Sequence, residues 1–306
     1  MRQILFITSG SIGDAIISTG LLAYLLDKHP QAEFTIASGP AAAPLFEAFP
    51  RLKQLITIRK QEWNRHWLTL WNAVRVTQWD LVVDLRGSLL SFLISTHARK
   101  IFHSADKTKS KAEQLAALFD LSQPPPTRLW SSDAARMNAK ALVPQTPYIV
   151  IAPKTASAAK DWPIERFAAL ANRLCKDNRN FVILASAAQK ESVQPLVTSL
   201  PASQVIDLSG RTDLLTAYAV LEGAQLFIGN DSGLFHMSSA AAIPSLGIYG
   251  PSNDKIYAPR GPHVHIVKSH DFALGEEEKR DNRYMQMISV EMVEEATRNL
   301  MNNRNE

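Results

Sequence analysis

Short apolar runs alternate with longer stretches of helical spacing along most of the chain. Gln3 to Thr8 is such a run and ends at Ser9 and Gly10, after which Ala15 to Lys28 repeats apolar positions at helical intervals. Phe34 to Ala37, Leu55 to Ile58 and Leu81 to Asp84 read as further strands, with a tryptophan-bearing helix from Glu62 to Val76 between the last two. Pro124 to Pro126 and the polar residues up to Asp133 break the pattern, and Val143 to Pro147 reads as a linker. The grammar restarts with strand Tyr148 to Ala152, helix Pro163 to Lys176, strand Phe181 to Ala185 and helix Gln189 to Leu200. Strand Val205 to Leu208, helix Leu214 to Gly223, strand Leu226 to Gly229, a small-residue helix through Ala242 and strand Ser245 to Tyr249 follow. Beyond the charged run Glu276 to Arg283, Val290 to Met301 is an amphipathic helix. This alternation predicts two doubly wound α/β halves with parallel sheets, and no tandem period points to a solenoid. The expected domains are residues 1–145, residues 146–285, and a C-terminal helix, 286–306, packing back on the first half.

Composition changes that picture in one respect. At 306 residues, 46% apolar and 20% charged, the chain can build two cores and is not disordered. The net charge of +4 divides unevenly, with 17 Lys+Arg against 11 Asp+Glu in residues 1–145 and 16 against 18 in the remainder. A basic first half beside a faintly acidic second half points to an anionic partner handled mainly by the first: nucleic acid, a membrane surface or an anionic small substrate. Nucleic acid is disfavoured, because the basic residues carry no recognised helix-turn-helix, OB or RNA-recognition pattern. The lone Cys175 excludes an internal disulfide framework and a cysteine metal site. No signal-peptide pattern opens the sequence, and a cytoplasmic location is the expectation. The long uncharged stretch Ser232 to Asn253 holds three Gly and two Pro and reads as loop, helix and strand, not as a membrane span.

Ligands of open α/β sheets bind beyond the carboxyl ends of strands, so the loops there carry the candidate chemistry. Gly10 to Asp14 lacks the third glycine of a dinucleotide fingerprint and the Lys-Ser/Thr of a phosphate-binding loop. Asp14 either complements a helix dipole or accepts a proton from a hydroxyl nucleophile. Lys160 precedes a helix start, where it is either a solvated surface charge or a point charge for a phosphate. In Gly229-Asn-Asp-Ser-Gly-Leu-Phe-His236, the N–H groups of Ser232 and Gly233 can cradle a diphosphate, and Asp231 and His236 can converge on the same ligand. Five Lys/Arg between Arg99 and Lys111 (Arg99, Lys100, Lys107, Lys109, Lys111) form either a charged loop or a binding patch. Trp63, Trp67 and Trp71 make a stripe with Leu70 and Val74 that is either core or, with Arg59, Lys60 and Arg65 beside it, an interfacial helix.

Taken together, Gly13-Asp14 after the first strand, Lys160-x-Trp-Pro at mid-chain, and Asn230-Asp-Ser-Gly-x-x-His236 with Gly250-Pro-Ser252 resemble glycosyltransferase family 9, over nearly the whole chain. That family contains the ADP-heptose:lipopolysaccharide heptosyltransferases. The resemblance implies a GT-B fold, two Rossmann-like domains facing each other across a cleft, with acceptor on the first and nucleotide sugar on the second. It implies an inverting, metal-independent transfer of a heptose or related sugar, with ADP-heptose as co-substrate and a lipopolysaccharide core or similar lipid-linked acceptor, at the inner face of the cytoplasmic membrane. Asp14 resembles the general base and Lys160 the lysine on the donor phosphates. Asp231, Ser232, Gly233 and His236 resemble the donor motif. Gly13, Arg86, Arg99 and Lys100 are the acceptor-side candidates. Two departures stand out: Ala185-Ser-Ala-Ala-Gln-Lys-Glu191 replaces an expected glycine-rich turn, leaving Glu191 as the donor candidate there, and Met285 or Met287 takes the place of a cysteine. A nucleotide-sugar epimerase or hydrolase of the same fold and a noncatalytic nucleotide-binding assembly protein are the alternatives.

Overall fold

The computed structural model describes every residue except 104, 105, 107, 144–146, 176–178, 274, 275, 277–280 and 303–306, so Lys107, most of the expected linker and the middle of the charged run 276–283 lie outside the described residues. Contacts divide the chain into two units, Met1–Trp130 and Ser131–Glu306. The first contains β1 (Gln3–Ile7), α1 (Ile12–Lys28), β2 (Glu33–Ser38), β3 (Leu52–Thr57), α2 (Arg65–Val74), β4 (Trp79–Asp84), β5 (Thr96–Ile101) and α3 (Lys111–Ala117). Its sheet is parallel throughout, in the order β3-β2-β1-β4-β5. Leu5, Ile7 and Val82 bury one face of it beneath Leu70 and Val74 of α2.

The second unit begins with α4 (Asp133–Leu142), which packs on α7 (Leu214–Glu222). That packing moves the boundary from the expected 145/146 to 130/131: Ser131 donates to Glu222, and Arg136 lies 4.0 Å from the same carboxylate. Between α4 and α7 come β6 (Tyr148–Ala152), α5 (Ile164–Cys175), β7 (Asn180–Ile183), α6 (Lys190–Thr198) and β8 (Val205–Asp207). After α7 follow β9 (Leu226–Asn230), α8 (Gly233–Ala240), β10 (Ser245–Tyr249), α9 (Asp254–Tyr257), β11 (Val264–Lys268), α10 (Arg283–Gln286) and α11 (Val290–Asn302). The sheet order is β11-β10-β9-β6-β7-β8, again all parallel. The uncharged stretch 232–253 resolves into α8 and β10, as its glycines and prolines require.

The expectation that 286–306 packs on the first half meets a different finding in α11, which lies against α5, β10 and β11 of its own unit. Val293 and Leu300 belong to the second unit's core together with Met285 and Ile288. Arg173 of α5 holds Glu291 at 2.7 Å and Glu294 at 2.9 Å, fixing the helix from its polar side. Met285 fills the space over Gly250, where a Cβ would stand 2.4 Å from its sulfur, so the methionine is a packing element that requires glycine opposite it.

The tryptophan stripe divides. Trp67 and Trp71 pack against the first unit's core, whereas Trp63 is fully turned to solvent, because Trp63 and Asn64 take left-handed φ of 54° and 56° and the helical period starts only at Arg65. The charged loop read between Arg99 and Lys111 is in part β5 and in part the first turn of α3, whose start is fixed by a capping box of Ser110 and Glu113.

Candidate active site

Both sheets place their candidate residues at the same topological position. In the first sheet the chain reverses winding between β1 and β4, which pair with Ile7 opposite Asp84. In the second it does so between β6 and β9, with Ala152 opposite Gly229. The loops beyond such strand pairs are where ligands of doubly wound sheets bind.

In the first unit these loops line a cavity of about 220 Å³ with Thr8, Gly10, Asp14, Arg86 and Lys111 among its walls. Gly10 and Gly39 let the loops after β1 and β2 cross with their backbones touching, since a Cβ on Gly39 would lie 2.6 Å from the Gly10 Cα. Gly13 and Asp14 stand in the first turn of α1, and the half-buried Asp14 carboxylate has no hydrogen bond or ion pair among the described residues. Its charged neighbour is Lys111, whose ammonium lies 4.0 Å from the Phe102 ring centroid. Burial lowers the Lys111 pKa below the ordinary lysine value, and the Asp14 charge opposes that shift.

Arg86 is carried by a turn built on Asp84, a residue that the sequence marks only as a strand end. The buried Asp84 carboxylate accepts from Arg86 N at 2.9 Å, Ser88 N at 2.8 Å, Ser88 Oγ at 2.5 Å and Ser91 Oγ at 2.6 Å. Arg86 itself is exposed, with its guanidinium 4.9 Å over the Trp67 ring. Arg99 and Lys100 do not join it as a patch, because neighbouring residues of a strand point to opposite faces. Arg99 donates to the carbonyls of Ser91 (2.7 Å) and Ile94 (3.0 Å), while Lys100 lies over Phe119 and pairs with Asp120 at 3.6 Å.

In the second unit the loops after β6 and β9 are wired to each other. Lys160, at the end of a 3₁₀ turn after β6, donates to Asp231 Oδ2 at 2.8 Å, and Ser252 Oγ donates to the same oxygen at 2.6 Å. Burial alone would raise the Asp231 pKa, but the Lys160 and His236 charges, with the Lys160 and Ser252 hydrogen bonds, outweigh it and hold the value below the ordinary one. Buried Asn230 ties the two loops together, accepting from Trp162 N (3.2 Å) and donating to Pro153 O (2.8 Å). Asp161 closes the Lys160 loop on itself by accepting from Thr155 N at 2.8 Å and pairing with Lys154 at 3.3 Å. Trp162 is a packing residue: it is wholly buried, edge-on to Phe167, and its indole N–H donates to Ile288 O at 2.9 Å.

Ser232 caps α8 with extended backbone, yet its side chain makes no capping bond, and its buried Oγ has no hydrogen-bond partner among the described residues. The first N–H groups of α8, those of Gly233 and Leu234, have no partner within the helix either, so with Ser232 Oγ and the nearby Lys160 they are suited to an anion. His236 stands in the first turns of α8, buried, with its charge acting on Asp231. Glu191 is exposed in the first turn of α6; the start of that helix reaches the Lys160 loop through Gln189 Nε2, which donates to Thr155 O at 2.7 Å. The structure thus joins Lys160, Asp231, Ser232 and His236 in one constellation and adds Ser252 and Asn230 to it. Asp14, Arg86 and Lys111 form the other.

The family model for glycosyltransferase family 9 (heptosyltransferase) matches residues 112–287, which include every residue of the second constellation. The chain belongs to glycosyltransferase family 9. This glycosyltransferase is 24% identical over 289 residues to lipopolysaccharide heptosyltransferase 1 of Pseudomonas aeruginosa, covering 82% of this chain and 79% of that one. It is 22% identical over 296 residues to the lipopolysaccharide core heptosyltransferase OpsX of Haemophilus influenzae, covering 88% and 85%. The solved structure of E. coli ADP-heptose lipopolysaccharide heptosyltransferase II matches over all of both chains, with a TM-score of 0.81 at 20% identity, and places this family 9 enzyme in the GT-B fold class. Membership in a transferase family sets aside the epimerase, hydrolase and noncatalytic alternatives. Among the described residues no helix is long and apolar enough to cross a membrane.

Proposed function

We propose that this glycosyltransferase moves a heptose or related sugar from a nucleotide-diphosphate sugar, ADP-heptose, to a lipopolysaccharide core or similar lipid-linked acceptor. The observation that carries the reading is the second constellation: one lysine, one hydroxyl without a partner among the described residues and the first amides of a helix, gathered at the switch point of a doubly wound sheet. Those groups suit a diphosphate, whose charge rises as the bond to the sugar breaks.

In the proposed reaction Asp14 accepts the proton of an acceptor hydroxyl. The oxygen of that hydroxyl attacks the anomeric carbon from the face opposite the diphosphate, the bond from that carbon to the diphosphate oxygen breaks with its electron pair going to the leaving group, and configuration inverts. Lys160, Ser232 Oγ and the amides of α8 take up the departing charge, which is the role a divalent metal plays elsewhere, so the reading is metal-independent. Asp231 orients Lys160, His236 and Gly233 complete the donor pocket, and Glu191 contacts the nucleoside. On the acceptor side, Gly13 and Arg86 are retained and Lys111 is added. Arg99 and Lys100 contribute to the field of the first unit at longer range. The reading places the enzyme in the cytoplasm, working at the inner face of the membrane. The names of its relatives support the sugar and acceptor class.

A thermal-shift comparison of ADP-, GDP-, UDP- and dTDP-sugars, followed by a transfer assay with EDTA present, tests this. The expected result is a selective rise with ADP-heptose and transfer unaffected by the chelator. A selective rise with another nucleotide overturns the donor, and loss of transfer in EDTA overturns the metal-independent route.

A further inference from the structure

Two adjoining elements of the first unit hold large apolar side chains in water: α2 with its lead-in, and a 3₁₀ turn at Leu89–Phe92. Trp63 is 92% exposed and Leu89 80%, while Leu68, Phe92 and Leu93 are each more than half exposed. The elements touch through Trp71, whose indole N–H donates to Leu93 O at 3.1 Å. Trp63 is the telling residue. Its left-handed φ of 54° costs a bulky side chain about 1–2 kcal/mol, and among the described residues no ring contact or hydrogen bond to its indole offsets that. An outlier that displays an indole to solvent calls for a partner outside the chain.

The charge around it says which. Arg59, Lys60, Arg65 and Arg75 on one element, and Arg86 beside the other, stand against a single acidic residue, Glu62, across residues 59–75 and 86–93. Exposed apolar side chains on segments rich in exposed cations match an anionic bilayer, in which the rings enter the headgroup boundary and the cations meet lipid phosphates. Arg86 also lines the Asp14 cavity and lies on Trp67, so this face is continuous with that site.

We infer that the face formed by Trp63, Leu68, Leu89, Phe92 and Leu93 docks on an anionic lipid bilayer and brings the Asp14 cavity to a membrane-embedded acceptor. In its second half the inference rests on the lipid-linked acceptor proposed above; the docking itself rests on the exposed side chains and their charge. Co-sedimentation with phosphatidylcholine vesicles, with and without phosphatidylglycerol, tests it. The intact chain should bind the anionic vesicles and bind the neutral ones about tenfold more weakly. Trp63→Ala/Phe92→Ala should lose about tenfold in anionic-vesicle affinity with its melting temperature unchanged, because both side chains are exposed. Arg59→Glu/Lys60→Glu is a second variant, expected to weaken binding in the same direction and serving if the first fails to fold. Unchanged binding in a folded variant, equal binding to both vesicle types, or a dimer of the intact chain that the first variant abolishes each overturns the inference. Transfer to a delipidated, soluble acceptor should be the same in the Trp63/Phe92 variant and the intact chain; absence of transfer in both defeats the functional reading and leaves the vesicle result standing.

Discussion

The two switch points share a topology and differ in how their charges are held. In the second unit the carboxylate of Asp231 is committed: Lys160 and Ser252 both donate to it and its pKa is depressed. In the first unit the Asp14 carboxylate faces an open cavity with no hydrogen bond or ion pair among the described residues. A carboxylate that already accepts charged hydrogen bonds is a poor proton acceptor and a good orienter of a cation, and one left unengaged can take a proton from an incoming hydroxyl. On the function proposed above, the donor side would thus present a fixed electrostatic frame to a diphosphate, while the acceptor side would keep its proton acceptor uncommitted.

The strongest way to break this contrast is Asp14→Asn. Turnover should fall by about 10²–10⁴-fold while donor affinity, read by the thermal shift, stays within about twofold; a normal rate would remove Asp14 as the base. Next is Lys160→Met, which leaves Asp231 poorly compensated. Besides weakening donor binding, it should lower stability by about 2 kcal/mol, and Lys160→Met/Asp231→Asn should recover much of that loss in denaturant unfolding. If the double variant is no more stable than the single one, the pair is not coupled as its geometry says.

Gly39→Ala tests the first unit in the same way. The added methyl meets Gly10 Cα at 2.6 Å, so the β1 and β2 loops must part, with a loss of about 1–3 kcal/mol and a raised acceptor KM. The smallest effect concerns acid. Because the folded pKa of Asp231 is depressed, its contribution to stability is fully present above the ordinary carboxylate value of about 3.9 and is lost as pH falls through the lower folded value. Asp231→Asn should therefore flatten the acid-unfolding curve below about pH 4 relative to the intact chain. An unchanged curve would show that the carboxylate is not held down as the geometry requires.

Sequence pattern located the strands that are buried on both faces, such as β1, β6, β9 and β10, because they read as apolar runs bounded by loop residues. It did not locate β5 or β11, Thr-His-Ala-Arg-Lys-Ile and Val-His-Ile-Val-Lys, two edge strands whose His, Arg and Lys interrupt the apolar run, although it did locate the edge strands β3 and β8, whose runs are less broken. Asp14, Lys160, Asp231, Ser232 and His236 stood out because each lies in a loop or helix start after a strand. Their wiring did not. That Lys160 meets Asp231 across 71 positions depends on how two loops fold back over the sheet, which no local pattern records. The roles of Asp84 and Asn230 are equally nonlocal, as each acts by satisfying backbone groups of a turn. Arg99 and Lys100 are adjacent in the chain, and strand geometry sends them apart.

The indole N–H of Trp162 ends on the carbonyl of Ile288, and Val293 and Leu300 fill the same core, so the floor of the Lys160 loop comes from residues more than a hundred positions downstream. Synthesis runs in one direction, at about 5–20 residues per second, and domains fold as units as they emerge. The first unit can therefore assemble early, whereas the Lys160 loop stays without its support until the ribosome has made the chain through Leu300. A growing chain would thus complete the support of the Lys160–Asp231 pair only near the end of its synthesis.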